Sequence, residues 1–226
     1  DYPFFADRTF VYYTGIEQAD SVLAAYKDES GVQETLYMLP PDLLAERWTG
    51  KRLTPQEASD ASGVEDFRYK AQFLPALERL IARGVTTVCL DFDRKNLDEQ
   101  PVRQAFQLAA WLKKNYPFVK VENIHKLAAR QRTIKKPCEL EAMRRAEIIT
   151  SEGIKAMMRA ARDGIYEYQL KAEFDYALAQ HGVLSPGFPS IVSAGKNNFF
   201  IHYYGYRGVA RDGDMVINDV GACWDN

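Results

Sequence analysis

The stretch KKPCELEAMRRAEIITSEGIKAMMRAA, residues 135–161, constrains the fold more than any other part of the chain. It predicts a long helix starting near Pro137, since proline is tolerated in the first helical turn, where its missing N–H would be unpaired anyway. Glu139 and Glu141 then lie at the positive end of the helix dipole. The apolar stripe runs Leu140, Met143, Ala146, Ile149, Gly153, Ala156, Ala160. Its small residues require a neighbour packed close against it, and Asp163-Gly164 supplies the stop. A second helix over 167–181 turns Leu170, Phe174 and Leu178 inward and ends at Gly182.

The first half has a different texture. FVYYTG (10–15), SVLAAY (21–26) and ETLYML (34–39) are β-branched and aromatic, bounded by turn formers, and predict strands. Pro40-Pro41 ends the third. Phe73, Leu74, Leu77, Leu80 and Ile81 recur at helical spacing within 70–83, with Gly84 as the stop. VTTVCLDF (85–92) predicts a strand, 99–114 a helix and FVKVEN (118–123) another strand. Such alternation predicts an α/β layer with a mixed sheet. A boundary within 125–136 divides the chain into a first domain, 1–130, and a second, 131–226.

Composition excludes several classes. A formal net charge of −2 in 226 residues gives no basic surplus for nucleic acid. No apolar run approaches the ~20 residues needed to span a bilayer, so neither nucleic acid nor membrane is an expected partner. The three cysteines, Cys89, Cys138 and Cys223, form no CxxC pair. They read as reduced, mostly buried thiols of a cytoplasmic protein. The chain opens DYPFF rather than on methionine, leaving open whether a leader precedes Asp1.

Two residues stand out in the Gly-rich end. Asp219 closes the strand-like run 215–219, on the alternate-residue face of Met215 and Ile217. A carboxylate on an apolar face is costly to bury without a cation or metal; alternatively, Asp219 marks the strand end, with a turn at Val220-Gly221. His202 lies in the aromatic run FFIHYY, as a hydrogen-bonded core residue or as an acid–base group. If Asp212-Gly213 makes a hairpin turn, the strands bearing His202 and Asp219 lie side by side. His125 and His181 read as solvated. No HExxH, GxSxG or phosphate-cradling loop is present.

Several further stretches, in order, resemble the Xaa-Pro aminopeptidases (aminopeptidase P) of the creatinase/prolidase "pita-bread" superfamily. These are DRTFVYYTGIEQADSVL, ERWTGKRLTPQEASDASGV, the helical segment 134–174, FPSIVSAGKNNFFIHY and RDGDMVINDVGA. The resemblance implies an α/β chain: a creatinase-like N-terminal domain with a mixed sheet, followed by the first part of a pita-bread α+β catalytic domain. It implies hydrolysis of the bond between an N-terminal residue and a following proline. The nucleophile is a hydroxide bridging two divalent metal ions, expected to be manganese. Asp219 matches a metal ligand, and His202 a substrate-site histidine that helps hold the scissile carbonyl. Trp48 matches a tryptophan that in some members reaches a neighbouring subunit's pocket, although a role capping the sheet fits it equally. Peptides with proline at the second position are the implied substrates, and a homo-oligomer, dimer or tetramer, the implied assembly.

There are departures. DVGA stands where DAGA is commoner, and Tyr204 where threonine is frequent. The family's second aspartate and its remaining histidine and glutamate ligands fall beyond Asn226, so the chain is expected to be a piece, short at both ends, that does not perform the chemistry alone. Three other readings remain: a prolidase restricted to dipeptides, a pita-bread module that binds peptide or protein without catalysis, and a creatinase-like enzyme working without metal, against which Asp219 speaks.

Overall fold

The computed structural model describes residue 4, residues 6–93 and residues 103–224. It consists of two compact units, Asp1–Thr133 and Ile134–Asn226.

The first unit opens with helix α1, Arg8–Thr14. This corrects the strand expected for FVYYTG. The Asp7 carboxylate accepts the N–H groups of Thr9 and Phe10 at 2.9 and 3.1 Å, and Gly15 ends the turn in the left-handed region at φ 65°. A satisfied cap at both ends outweighs the modest strand preference of the residues between. Strands β1 (Val22–Asp28) and β2 (Gly31–Met38) form an antiparallel hairpin, with Val22 opposite Tyr37 and Asp28 opposite Gly31. Helices α2 (Leu43–Thr49) and α3 (Pro55–Ser62) carry the chain to β3 (Asp66–Tyr69), which lies parallel to β2. A parallel pair needs a crossover of about this size. Ile16, Leu36, Met38, Ala58 and Val64 are buried together between these elements.

A 3-10 turn at Lys70–Gln72 leads into α4, Phe73–Ala82. Strand β4 (Thr87–Leu90), helix α5 (Gln104–Asn115) and strand β5 (Lys120–Asn123) follow, with β4 and β5 parallel. Leu77, Ile81, Leu112 and Val119 form their core. Residues 99–102 of the expected helix lie outside the described residues. Among the described residues of this unit, the expected mixed sheet comprises β1, β2 and β3, and β4 and β5 form a parallel pair. Helix α6, His125–Thr133, was not expected; the Asn123 side chain accepts its first N–H at 2.9 Å. His125 is not simply solvated, since its Nδ1 sits 2.8 Å from Asp91 Oδ1.

The second unit is built on α7 (Pro137–Ala160) and α8 (Glu167–Gln180). Ile149, Gly153 and Met157 of α7 are buried against Leu170, Phe174 and Leu178 of α8. The stripe of small residues has its reason at Gly153: a Cβ there would stand 2.5 Å from Phe174 Cδ2. Strand β6 (Ile191–Ala194) is buried throughout and pairs antiparallel with β7 (Val216–Asp219). Val192 and Ala194 of β6 belong to the same core, and Val216 packs on it.

Candidate active site

The chain between β6 and β7 carries the aromatic run. It does not form the expected strand. Gly195–Phe199 is a 3-10 helix and Ile201-His202 a turn, so β7 pairs with β6 and not with the segment bearing His202. A turn does sit at Asp212-Gly213, with the Asp214 N–H donating to the Arg211 carbonyl at 2.9 Å and Gly213 at φ 85°. The chain before it forms no strand ladder; it meets the start of α8 through an isolated bridge, Tyr166 to Val209, and a few hydrogen bonds to Glu167 and Tyr168. The local reason is a set of side-chain brackets that take the place of a strand ladder. Asn198 Nδ2 donates to the Met215 carbonyl at 2.8 Å and its Oδ1 accepts from Ser193 Oγ at 2.7 Å. Both fasten the 3-10 helix onto β6 and β7.

His202 is exposed, its ring stacked beside Tyr204 with centroids 6.3 Å apart and planes 18° off parallel. Phe199, Phe200 and Ile201 before it are exposed too. Tyr203 points the other way, and its phenolic oxygen accepts from Asn197 Nδ2 at 3.0 Å. Burial, and then the neighbouring Glu167, push the Tyr203 phenol up. Tyr206 holds a left-handed backbone, φ 50°, unusual for a bulky residue. Its hydroxyl donates to the Ser190 carbonyl and its ring packs on the core of the unit, which offsets the strain.

Asp219 ends β7 opposite Ile191. It lies on the face of Met215 and Ile217, as alternation requires, but that face is not buried: Met215 is 77% and Ile217 41% exposed, and Asp219 is exposed. The acid is therefore not an embedded charge here. Its carboxylate is a hard oxygen donor suited to a divalent cation. It does not make a metal site alone, because among the described residues no group of three or more His, Cys, Asp or Glu could hold an ion. No hydrogen bond or ion pair joins His202 to Asp219 among the described residues. Trp48, on α2 of the first unit, is 90% exposed and so does not cap the sheet. Cys89 and Cys138 are exposed, contrary to the buried thiols expected, and all three cysteines are free. Among the described residues, no helix is long and apolar enough to cross a membrane.

Sequence reasoning passed over Glu167. It is the first residue of α8 and is 0% exposed. Oε1 accepts the Ala194 N–H and Asn197 Nδ2, both at 2.8 Å, and Oε2 accepts the Gly208 N–H at 2.7 Å. A signal was available: Glu167 falls on the same helical face as Leu170, Phe174 and Leu178, an acid on a buried stripe. At the start of a helix, however, an acid is already accounted for by the dipole.

The comparisons with known proteins follow the same division. Residues 1–89 match the aminopeptidase P N-terminal domain, and residues 141–226 match metallopeptidase family M24. The Xaa-Pro aminopeptidase of Escherichia coli is 28% identical over 248 residues, covering 98% of this chain and 51% of that protein. That of Haemophilus influenzae is 26% identical, covering 97% and 49%. Among solved structures, one from Bacillus anthracis superimposes with a TM-score of 0.93 at 28% identity, over 99% of this chain and 54% of that one. The low-pH form of E. coli aminopeptidase P gives a TM-score of 0.85 at 26% identity, over 99% and 51%. The chain spans about half the length of the curated relatives it matches. In the order of its two matched segments, and in its mixed α/β fold with small sheets, this chain is similar over nearly its whole length to aminopeptidase P, its second segment matching metallopeptidase family M24.

Proposed function

We propose that the whole protein is a metal-dependent aminopeptidase that releases the residue preceding an N-terminal proline. The supporting observation is the match along 98–99% of the chain, through both units in order, to proteins that carry this name. Domain limits of 1–130 and 131–226 belong to the same reading. So do two divalent ions, manganese in the native protein, and zinc is at least compatible with the group, since a Zn-substituted E. coli aminopeptidase P is known in complex with product. When bound, such ions supply a nucleophile near pH 7 by lowering the pKa of water.

The roles proposed for this chain's own residues follow from where they stand. Asp219, at an exposed strand end, contributes one hard ligand. His202, presented to solvent on a braced loop, donates a hydrogen bond to the scissile carbonyl, where negative charge grows in the transition state. A prolyl amide has no N–H and a fixed ring, so recognition falls on the ring and the carbonyl, and the exposed aromatic residues around His202 suit the ring. Trp48, with Leu43 and Leu44 exposed on the same helix, is assigned to a second subunit's substrate pocket in a homo-oligomer. The free thiols support a reducing compartment such as the cytoplasm.

In the whole protein, Asp219→Ala is expected to abolish manganese-dependent release of the residue before proline. Retained activity would end this reading. Cleavage of Xaa-Pro dipeptides but not of longer peptides would move the assignment to a prolidase.

A further inference from the structure

We propose that Glu167 is a positioning residue for His202: it holds the loop that presents the imidazole, without itself meeting substrate. This rests on the reading of His202 as a substrate contact. Glu167 is bound to the loop on both sides of His202. Before it, Asn197 Nδ2 donates to Glu167 Oε1 at 2.8 Å and to the Tyr203 hydroxyl oxygen at 3.0 Å, so one amide links the buried acid to the residue next to His202. After it, the Gly208 N–H donates to Oε2 at 2.7 Å. The backbone repeats the connection: the Glu167 N–H donates to the Gly208 carbonyl at 3.0 Å and the Tyr168 N–H to the Tyr206 carbonyl at 3.1 Å. The loop thereby caps α8, meeting N–H groups that the helix cannot satisfy itself. The third donor, the Ala194 N–H at 2.8 Å, fixes the acid to the end of buried β6.

The acid is placed to hold the loop and not to meet substrate. At 0% exposure no substrate atom can reach it. Its neighbours leave it no freedom, for a side chain on Gly208 would overlap Asn197 Nδ2 and Glu167 Oε1 and come within 2.7 Å of Glu167 Cδ. His202 and the three residues before it are all exposed and lie between the two bracketed points. The position of an exposed catalytic side chain is then set by the residues that flank it, and Glu167 gathers both flanks. Misplacement by about an ångström can cost on the order of a hundredfold in rate.

Glutamine at 167 tests this closely. With its oxygen at the Oε1 position it still accepts from Ala194 and Asn197, but its NH2 then faces the Gly208 N–H, donor against donor, and frees that flank. In the whole protein, Glu167→Gln is expected to lower kcat by about ten- to a hundredfold with KM changed less than about threefold. Asn197→Ala, which severs the other flank at a less buried site, serves if Glu167→Gln fails to fold, and is expected to act in the same direction. The deciding measurement is the double-mutant cycle with His202→Ala. A residue acting through His202 has little left to lose in its absence, so adding Glu167→Gln or Asn197→Ala to His202→Ala should change kcat/KM by less than about threefold. If each lowers activity by the same factor with or without His202, Glu167 merely supports the fold and the proposal is overturned. If His202→Ala alone leaves activity intact, the role given to His202 falls and takes this proposal with it. Loss of the proline-directed activity itself is read separately, through Asp219→Ala.

Discussion

Glu167 and Gly208 exchange hydrogen bonds in both directions: the Gly208 N–H donates to Oε2 of Glu167 at 2.7 Å, and the Glu167 N–H donates to the Gly208 carbonyl at 3.0 Å. A Cβ at 208 would stand 2.4 Å from both Glu167 Oε1 and Asn197 Nδ2, so a side chain there must displace this hydrogen-bonded pair. Gly208→Ala should therefore destabilise the protein by about 1–3 kcal/mol, the usual cost of forcing atoms into a packed site. Urea denaturation gives the loss, and the Gly208 amide should exchange faster in any variant that weakens this pair. A Gly208→Ala protein as stable as the parent would show that the acid can move aside.

Gly153 and Phe174 make the second test, in the core between α7 and α8. An alanine Cβ at 153 would lie 2.5 and 2.7 Å from two atoms of the Phe174 ring. Gly153→Ala gains helix propensity, roughly 1 kcal/mol over glycine, yet the overlap should win and leave a net loss. Phe174→Leu opens room at the cost of its own buried ring. The two changes together should be more stable than the sum of the separate effects predicts. Simple additivity in denaturant melts would mean that α8 shifts bodily to admit the methyl group.

These packing relations were more legible in the sequence than the site was. Ile149 and Gly153 of the α7 stripe and the Leu170, Phe174, Leu178 face could be read because long helices repeat their pattern many times, but Leu140 and Met143 of the expected stripe are exposed and Met157, outside it, is buried. Short elements offer no such redundancy. FVYYTG has the composition of a strand, but Asp7 and Gly15 lie just outside it and decide for a helix. FFIHYY has the same composition but forms a turn at Ile201-His202 and no strand, while β6 occupies the edge of β7. In ERWTGKRLTPQEASDASGV the capping box of α3, with Thr54, Pro55 and Glu57, was in plain view, though unread. Glu167 escaped because its three donors come from residues 27 to 41 positions away. Only the folded chain brings them together.

The same capping box predicts a pH dependence. Lys51 Nζ lies 2.6 Å from Glu57 Oε1, and the Thr54 N–H and hydroxyl donate to Oε2 at 2.8 and 3.0 Å. Lys51 first, and then Thr54, hold the Glu57 carboxyl at about 2, below its ordinary value of 4.5. A folded value below the unfolded one means that the charged form favours the native state. The contribution is fully present above about 4.5 and is lost as pH falls toward about 2. Glu57→Gln should thus be less stable than the parent near neutrality and converge with it at the acid end. Added salt should narrow the gap, since the Lys51 pair is exposed and screened. A difference between the two proteins that stays constant from neutral to acid pH would contradict this.

Asp219 allows metal binding to be separated from folding. Its part in β7 is played by the backbone, opposite Ile191, while its side chain is exposed. Exposed substitutions of this kind usually change stability by no more than about 0.5 kcal/mol, so Asp219→Asn should leave the metal-free stability of this chain unaltered. A ligand that binds only the native state raises stability in proportion to the logarithm of its concentration over Kd. Manganese should therefore raise the melting temperature of the parent and do so much less, or not at all, for Asp219→Asn. Calorimetric titration should show affinity at least about tenfold weaker, because an amide oxygen replaces a charged donor to a hard cation. Equal melting shifts and equal affinities in the two proteins would remove Asp219 from the ligand set, and would do so whether or not the protein cleaves before proline.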